Sequence, residues 1–399
     1  MIDKQNINIR IFGESQSGKT HFYSGMLETF CFSRGVFNDS HTTLYSMETL
    51  GDLSADSIGI AKEIRDHYKY KGDIDSTNGV DREDLVFKLV GEGEYEWPVV
   101  FYDYKGGNVI VDSEDDLQIQ AQEIEQIMDG DVLYILVDAV ALAKCLHKCE
   151  ERVEKPEEYS EILNKEENIT YCRNMMGMDK YAMILQKLLQ NMKQKHLTIA
   201  FLLTKTDSRE FDSSSNIYAD KNFSLLREAV QKMYEKEIFA IRKHEKWNCG
   251  IFPIGVFGKG NVTDEEKALN EKSLHPEGIA RTLMYSLYGV FDGIERSLSE
   301  SMSMNDESIK DIKFADCTNF LSALRIDPKA AGNWKQLKNN YFVLKEKNEE
   351  LKAQRDEIKI IMKNIKADFE DKYNGFIFKS TALLPKEGVD ITPKNRKVE

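Results

Sequence analysis

Eight residues near the start of the chain, Gly13-Glu14-Ser15-Gln16-Ser17-Gly18-Lys19-Thr20, constrain its fold more than any other stretch. They follow an alternating, β-rich run at 7–12 (Ile-Asn-Ile-Arg-Ile-Phe) and precede a helical pattern that opens at His21. A strand that turns through GxxxxGKT into a helix points successive backbone N–H groups inward, where they cradle phosphate oxygens at the helix N-terminus. Gly13 and Gly18 permit the curl, and Ser15, Gln16, Ser17 and His21 complete the stretch that lines the phosphates. The pattern assigns Lys19 to the β and γ phosphates and the Thr20 hydroxyl to Mg²⁺.

The nucleoside is read further along. An apolar strand at 197–203 runs directly into Thr204-Lys205-Thr206-Asp207. A carboxylate at Asp207 can accept hydrogen bonds from both guanine N1–H and the N2 amino group, a pattern adenine does not offer. The aliphatic stem of Lys205 can lie over the ring. Threonine at 204 lacks the amide that asparagine would bring to tie this loop to the phosphate loop, so weaker coupling between the two is expected. Between the motifs, the apolar run at 97–102 ends in Asp103-Tyr104-Lys105-Gly106-Gly107. That order offers Asp103 as a Mg²⁺ ligand through water and the Gly106 N–H as a γ-phosphate sensor. Strands are also expected at 84–90, 132–138 and 250–258, the last ending where Gly255 and the Val256 N–H could meet guanine O6.

In this order the motifs resemble the translation-factor-related superclass of P-loop GTPases, Ras-like in core order, over about residues 7–290. The Asp103-Tyr104-Lys105-Gly106-Gly107 motif and the elaborated loops look most like the bacterial double-GTPase group of conflict and defence systems. The resemblance implies an α/β fold, a three-layer αβα sandwich with a mixed, mostly parallel sheet. It also implies GTP and GDP as ligands with Mg²⁺, and GTP hydrolysis coupled to loop ordering that a protein partner reads. Two departures bear on mechanism. Many Ras-like enzymes carry glutamine after the DxxG glycine to orient water; here Gly107 has no side chain, so hydrolysis by a site with Lys19 and Gly106 is expected to be slow, with Gln16, a residue from the loops or one from a second molecule as the stand-in. The switch threonine, a third Mg²⁺ ligand, is placed at Thr77, with Thr42 and Thr43 as alternatives. The alternative function is a GTP-loaded scaffold with little turnover.

The domain reading is a GTPase domain at 1–296 with insertions at about 34–75 and 141–180, the second a solvated helical insertion or a partner-specific lobe. A linker with short helices follows at 297–333, then a coiled-coil-like helix at 334–372 and a loose tail at 373–399. From Trp334 the heptad d positions are Leu337, Leu344, Leu351, Ile358 and Ile365. The polar residues Asn348 and Arg355 occupy consecutive a positions, and every e position is lysine. Such a seam fits a parallel homodimer, an antiparallel helix pair or an acidic partner, and could also fold back on the N-terminal domain. With 68 acidic against 54 basic residues the net charge is −14, which speaks against nucleic-acid and anionic-membrane binding. No apolar run approaches the ~18 residues of a membrane span, and a cytoplasmic protein is expected.

Overall fold

The computed structural model describes residues 7–14, 17–27, 29, 45–49, 85–91, 96–103, 130–150, 159–191, 196–212, 218, 223–243, 246–258, 276–323, 328–370 and 376–379. Ser15, Gln16, Thr42, Thr43, Thr77, Gly106 and Gly107 lie outside these residues, and of Thr20 and Asp103 only the backbone is described.

The sheet grows outward from the first strand. Its members are β1 (Ile7–Phe12), β2 (Tyr45–Thr49), β3 (Leu85–Gly91), β4 (Glu96–Asp103), β5 (Val132–Asp138), β6 (Leu197–Thr204), β7 (Trp247–Pro253) and β8 (Phe376–Lys379). They lie in the order β2-β3-β4-β1-β5-β6-β7-β8. The five strands β4, β1, β5, β6 and β7 are parallel; β2, β3 and β8 add antiparallel pairings at the two sides. Strand composition explains the placement. In β6 every residue is buried, and in β5 all but the terminal Asp138 are; such buried, largely apolar runs suit parallel strands covered on both faces. The chain is thus an α/β protein with a mixed, mostly parallel sheet.

Two strands escape the sequence reading. Strand β2 lies in the expected insertion at 34–75 and β8 in the expected tail, each at a sheet edge. Runs of five and four residues carry too little periodicity to read locally, and their neighbours complete them. Strand β7 also starts earlier than expected, because fully buried Trp247 pairs with Leu197.

Helix α1 (Lys19–Leu27) follows the phosphate-type loop. Between β5 and β6 come α2 (Ala139–Glu150), α3 (Tyr159–Asn164), α4 (Glu166–Met175) and α5 (Asp179–Asn191). This stretch is not a solvated insertion: Leu142, Leu146, Cys149, Ile162, Leu163 and Cys172 are buried in the main core with Phe201 and Trp247. Its polar composition belongs to the outer helix faces. Helices α6 (Ser224–Met233) and α7 (Glu235–Lys243) lie between β6 and β7.

The linker expected at 297–333 is a correction. Helix α8 runs unbroken over Ile279–Ala323, and α9 covers Pro328–Glu370 with proline in its first turn. The chain divides into two compact units, one of Lys4–Leu287 with Asp368–Glu399 and one built mainly of Tyr288–Ala367. In the second unit the two helices form an antiparallel hairpin. The Lys313 ammonium sits 5.6 Å from the Tyr341 ring centre, Asn305 Nδ2 donates to Asn348 Oδ1 at 2.8 Å, and Arg355 Nε donates to Glu295 Oε1 at 2.7 Å. The sheltered residues of α8 step by four and three through Phe291, Glu295, Leu298, Met302, Asn305, Ile309 and Ile312. The seam of α9 therefore meets a partner seam within its own chain, and both polar a residues find polar partners there. Serines outside the seam made the first arm resemble a linker; pairing with α9 makes it a helix.

Candidate functional site

The carboxyl ends of β1, β6 and β7 carry the described parts of the loops that the sequence singles out, as parallel sheets do where neighbouring connections diverge. From β1 the backbone passes through Gly13 and Glu14 to Ser17, whose N–H donates to Glu14 O at 3.0 Å. Gly18 has a positive φ of 93°, and its carbonyl accepts from Phe22 N at 2.8 Å. Lys19 bends over its own loop, donating to Gly13 O at 2.6 Å and Glu14 O at 3.4 Å. The Ser17 hydroxyl is buried without a hydrogen-bond partner among the described residues, a polar atom that a ligand in this loop would satisfy.

The second loop, at the end of β6, touches the first. Thr204 Oγ1 donates to Ser17 O at 2.6 Å and lies 3.3 Å from Val137 O. Threonine thus makes a tie of its own between the two loops, through a buried hydroxyl in place of the amide. Lys205 takes a left-handed conformation, φ 59°, and its ammonium pairs with Asp138 Oδ2 at 2.7 Å. The other Asp138 oxygen accepts the Ala141 N–H at 2.9 Å at the start of α2.

A third loop leaves β7 and closes on Asp207. Oδ2 of this carboxylate accepts from the N–H groups of Val256 at 2.7 Å, Phe257 at 2.5 Å and Gly258 at 3.2 Å. Gly255 packs against the Asp207 side chain, where a Cβ would lie 3.0 Å from Asp207 Cγ. The Val256 N–H, expected to face guanine O6, is turned onto Asp207 instead. Burial pushes the Asp207 carboxyl up, opposed by the amides of Phe257, Val256 and Gly258.

His21 spans the loops. Its ring meets Phe257 edge-on with centres 5.3 Å apart. Burial first, then the charge of Lys205, holds its imidazole down to about 4, so it is neutral at physiological pH. The residue after Thr20 therefore contacts the loop that grips Asp207. On the other side of β1, Asp103 at the end of β4 is the register partner of Ile11, two residues before Gly13.

Sequence reasoning missed the partners of Glu14. Its Oε1 accepts from Tyr181 Oη at 3.1 Å and pairs with Lys180 Nζ at 2.5 Å, both in the first turn of α5. An acidic residue inside a phosphate-type loop was the available signal, because such a charge needs a nearby cation. Among the described residues no cluster of three or more His, Cys, Asp or Glu could hold a metal ion, and no helix is long and apolar enough to cross a membrane. No protein-family model and no characterised protein matches the chain.

Proposed function

We propose that this chain binds GTP with Mg²⁺, hydrolyses it slowly and couples its nucleotide state to a protein partner. The observation that carries the reading is the Thr204–Ser17 hydrogen bond, which joins the phosphate-type loop to the base-reading loop. The His21–Phe257 contact supports the same convergence from the other side. The mixed, mostly parallel sheet, with the loop leaving its central strand, supports a three-layer αβα P-loop domain of the Ras-like kind.

In this reading Lys19 leaves Gly13 O for the β and γ phosphates, and the backbone from Gly13 to His21 cradles them. Asp207 keeps Oδ2 on its three amides and offers Oδ1 to guanine N1–H and the N2 amino group. The amides therefore orient the base-reading carboxylate and oppose the upward push of its burial. Lys205 and the His21–Phe257 pair wall the nucleoside. Thr20 at the start of α1 and Asp103 at the end of β4 are the residues that would hold Mg²⁺, through hard oxygen ligands, and the ion would neutralise charge on the phosphate oxygens. Thr77 and Gly106 sense the γ-phosphate and Gln16 orients water, all three outside the described residues. The protein partner contacts the switch loops or the C-terminal hairpin in a cytoplasmic setting, and neither nucleic acid nor membrane is the ligand.

Calorimetry with GTP, GDP and ATP tests the reading, followed by phosphate release under single-turnover conditions. Guanine nucleotides should bind and ATP should not, phosphate release should be slow but measurable, and Asp207→Asn should shift preference toward xanthine nucleotides. Binding without phosphate release would make the protein a GTP-loaded scaffold. No heat with any guanine nucleotide would overturn the reading.

A further inference from the structure

A carboxylate is an awkward occupant of a loop that takes phosphates. Glu14 is the second residue of that loop, and a triphosphate is densely anionic, so an unopposed charge there would repel the ligand. The chain does not leave it unopposed. Lys180 Nζ pairs with Glu14 Oε1 at 2.5 Å, and Tyr181 Oη donates to the same oxygen at 3.1 Å. Gly177, in the turn before α5, closes over the carboxylate, and a Cβ there would lie 3.2 Å from Glu14 Cδ.

The supporting segment is itself anchored. Tyr234 Oη donates to Met178 O at 3.1 Å, Arg173 Nε donates to Asp179 Oδ1 at 2.5 Å, and Arg173 Nη1 reaches Met233 O at 3.1 Å. Tyr181 is 2% exposed. Burial, then the charge of Glu14, pushes its phenol up, so the hydroxyl keeps its proton and stays a donor. Lys180 and Tyr181 are therefore presented to the loop by packed structure, at sequence separations of 166 and 167 residues from Glu14.

We propose that Lys180 and Tyr181 belong to the nucleotide site as positioning residues, pinning the Glu14 carboxylate aside and cancelling its charge. Through them the helical segment between β5 and β6 sets affinity for the triphosphate over the diphosphate. This rests on the reading of the loop as a GTP site. Without Lys180 the Glu14 charge acts on the phosphates, and the penalty grows with each phosphate charge the ligand brings.

The test is titration of the full chain with a non-hydrolysable GTP analogue and with GDP, using Lys180→Gln, Glu14→Gln, the double variant and Tyr181→Phe. Lys180→Gln should weaken the analogue about tenfold and GDP about threefold, and the double variant should return to within about twofold of the unmodified protein. Tyr181→Phe should shift affinity the same way by a smaller factor, and Glu14→Gln should bind the analogue at least as tightly as the unmodified chain. Unchanged affinity in Lys180→Gln, or a double variant as weak as the single one, would overturn the proposal. If Lys180→Gln does not fold, weaker analogue binding by Glu14→Gln would do so instead. An unmodified chain that binds no guanine nucleotide would bring down the GTP reading itself, a result distinct from normal binding with an indifferent Lys180.

Discussion

The hydroxyl of Thr204 donates a 2.6 Å hydrogen bond to the main-chain oxygen of Ser17, across 187 residues of sequence. Both groups are buried, so Thr204→Val would leave a carbonyl without its donor at nearly constant volume. Loss of about 1–3 kcal/mol in urea unfolding is expected, while Thr204→Ser should keep most of the bond. Guanine-nucleotide affinity should fall in the valine variant beyond what the stability loss explains, because the bond also fixes the distance between the two loops.

His21 carries a pH signature. Its imidazole titrates at about 4 in the folded chain against roughly 6.5 when unfolded. A group depressed in this way contributes stability that is present above the unfolded value and lost as pH falls toward the folded one. Stability should therefore drop between about pH 6.5 and 4, by on the order of 2 kcal/mol once partial exposure is allowed for. His21→Phe should flatten that part of a pH series of denaturant midpoints.

Gly278 stands where α8 begins, with φ +80°, and a Cβ there would lie 2.2 Å from Pro253 O. The obstacle is backbone at the end of β7, which cannot turn aside as a side chain would. The Gly278 carbonyl also accepts from Thr282 N at 3.0 Å and Thr282 Oγ1 at 2.9 Å. Gly278→Ala should cost roughly 2–4 kcal/mol, read as a lower Tm, and should loosen the loop that holds Asp207.

The helical hairpin makes its own prediction. Burial alone would raise the Glu295 carboxyl, but the hydrogen bond and charge of Arg355, with Ser299 and Lys359, bring it below its ordinary value. That contribution is present above about pH 4.3 and is lost as pH falls through the lower folded value. Arg355→Met should destabilise by about 1–2 kcal/mol and remove this acid dependence. Glu295→Met with Arg355→Met should recover much of the loss, since no charge is then left alone in the seam.

Much of the framework was legible because it is local. The run Leu197–Leu203 is apolar but for Thr198, as an interior strand should be. GxxxxGKT was expected between a strand and a helix, and β1 and α1 flank it. The heptad of α9 showed that a seam existed, since a residue every three or four positions must find a companion. Edge strands β2 and β8 were not legible, because a short run becomes a strand only when a neighbour supplies its hydrogen bonds.

The sequence by itself determined the chemistry at single positions: the lysine after Gly18, the carboxylate at Asp207, and the leucines and isoleucines of α9. Tertiary structure alone decided the partnerships. Nothing near Thr204 announces Ser17, nothing near Glu14 announces Lys180, and nothing in α9 announces that its companion is α8 of the same chain. Local periodicity and turn chemistry act over a few residues. A hydrogen bond or ion pair between distant segments exists only once packing has brought them together, and its geometry is set by the elements that carry it.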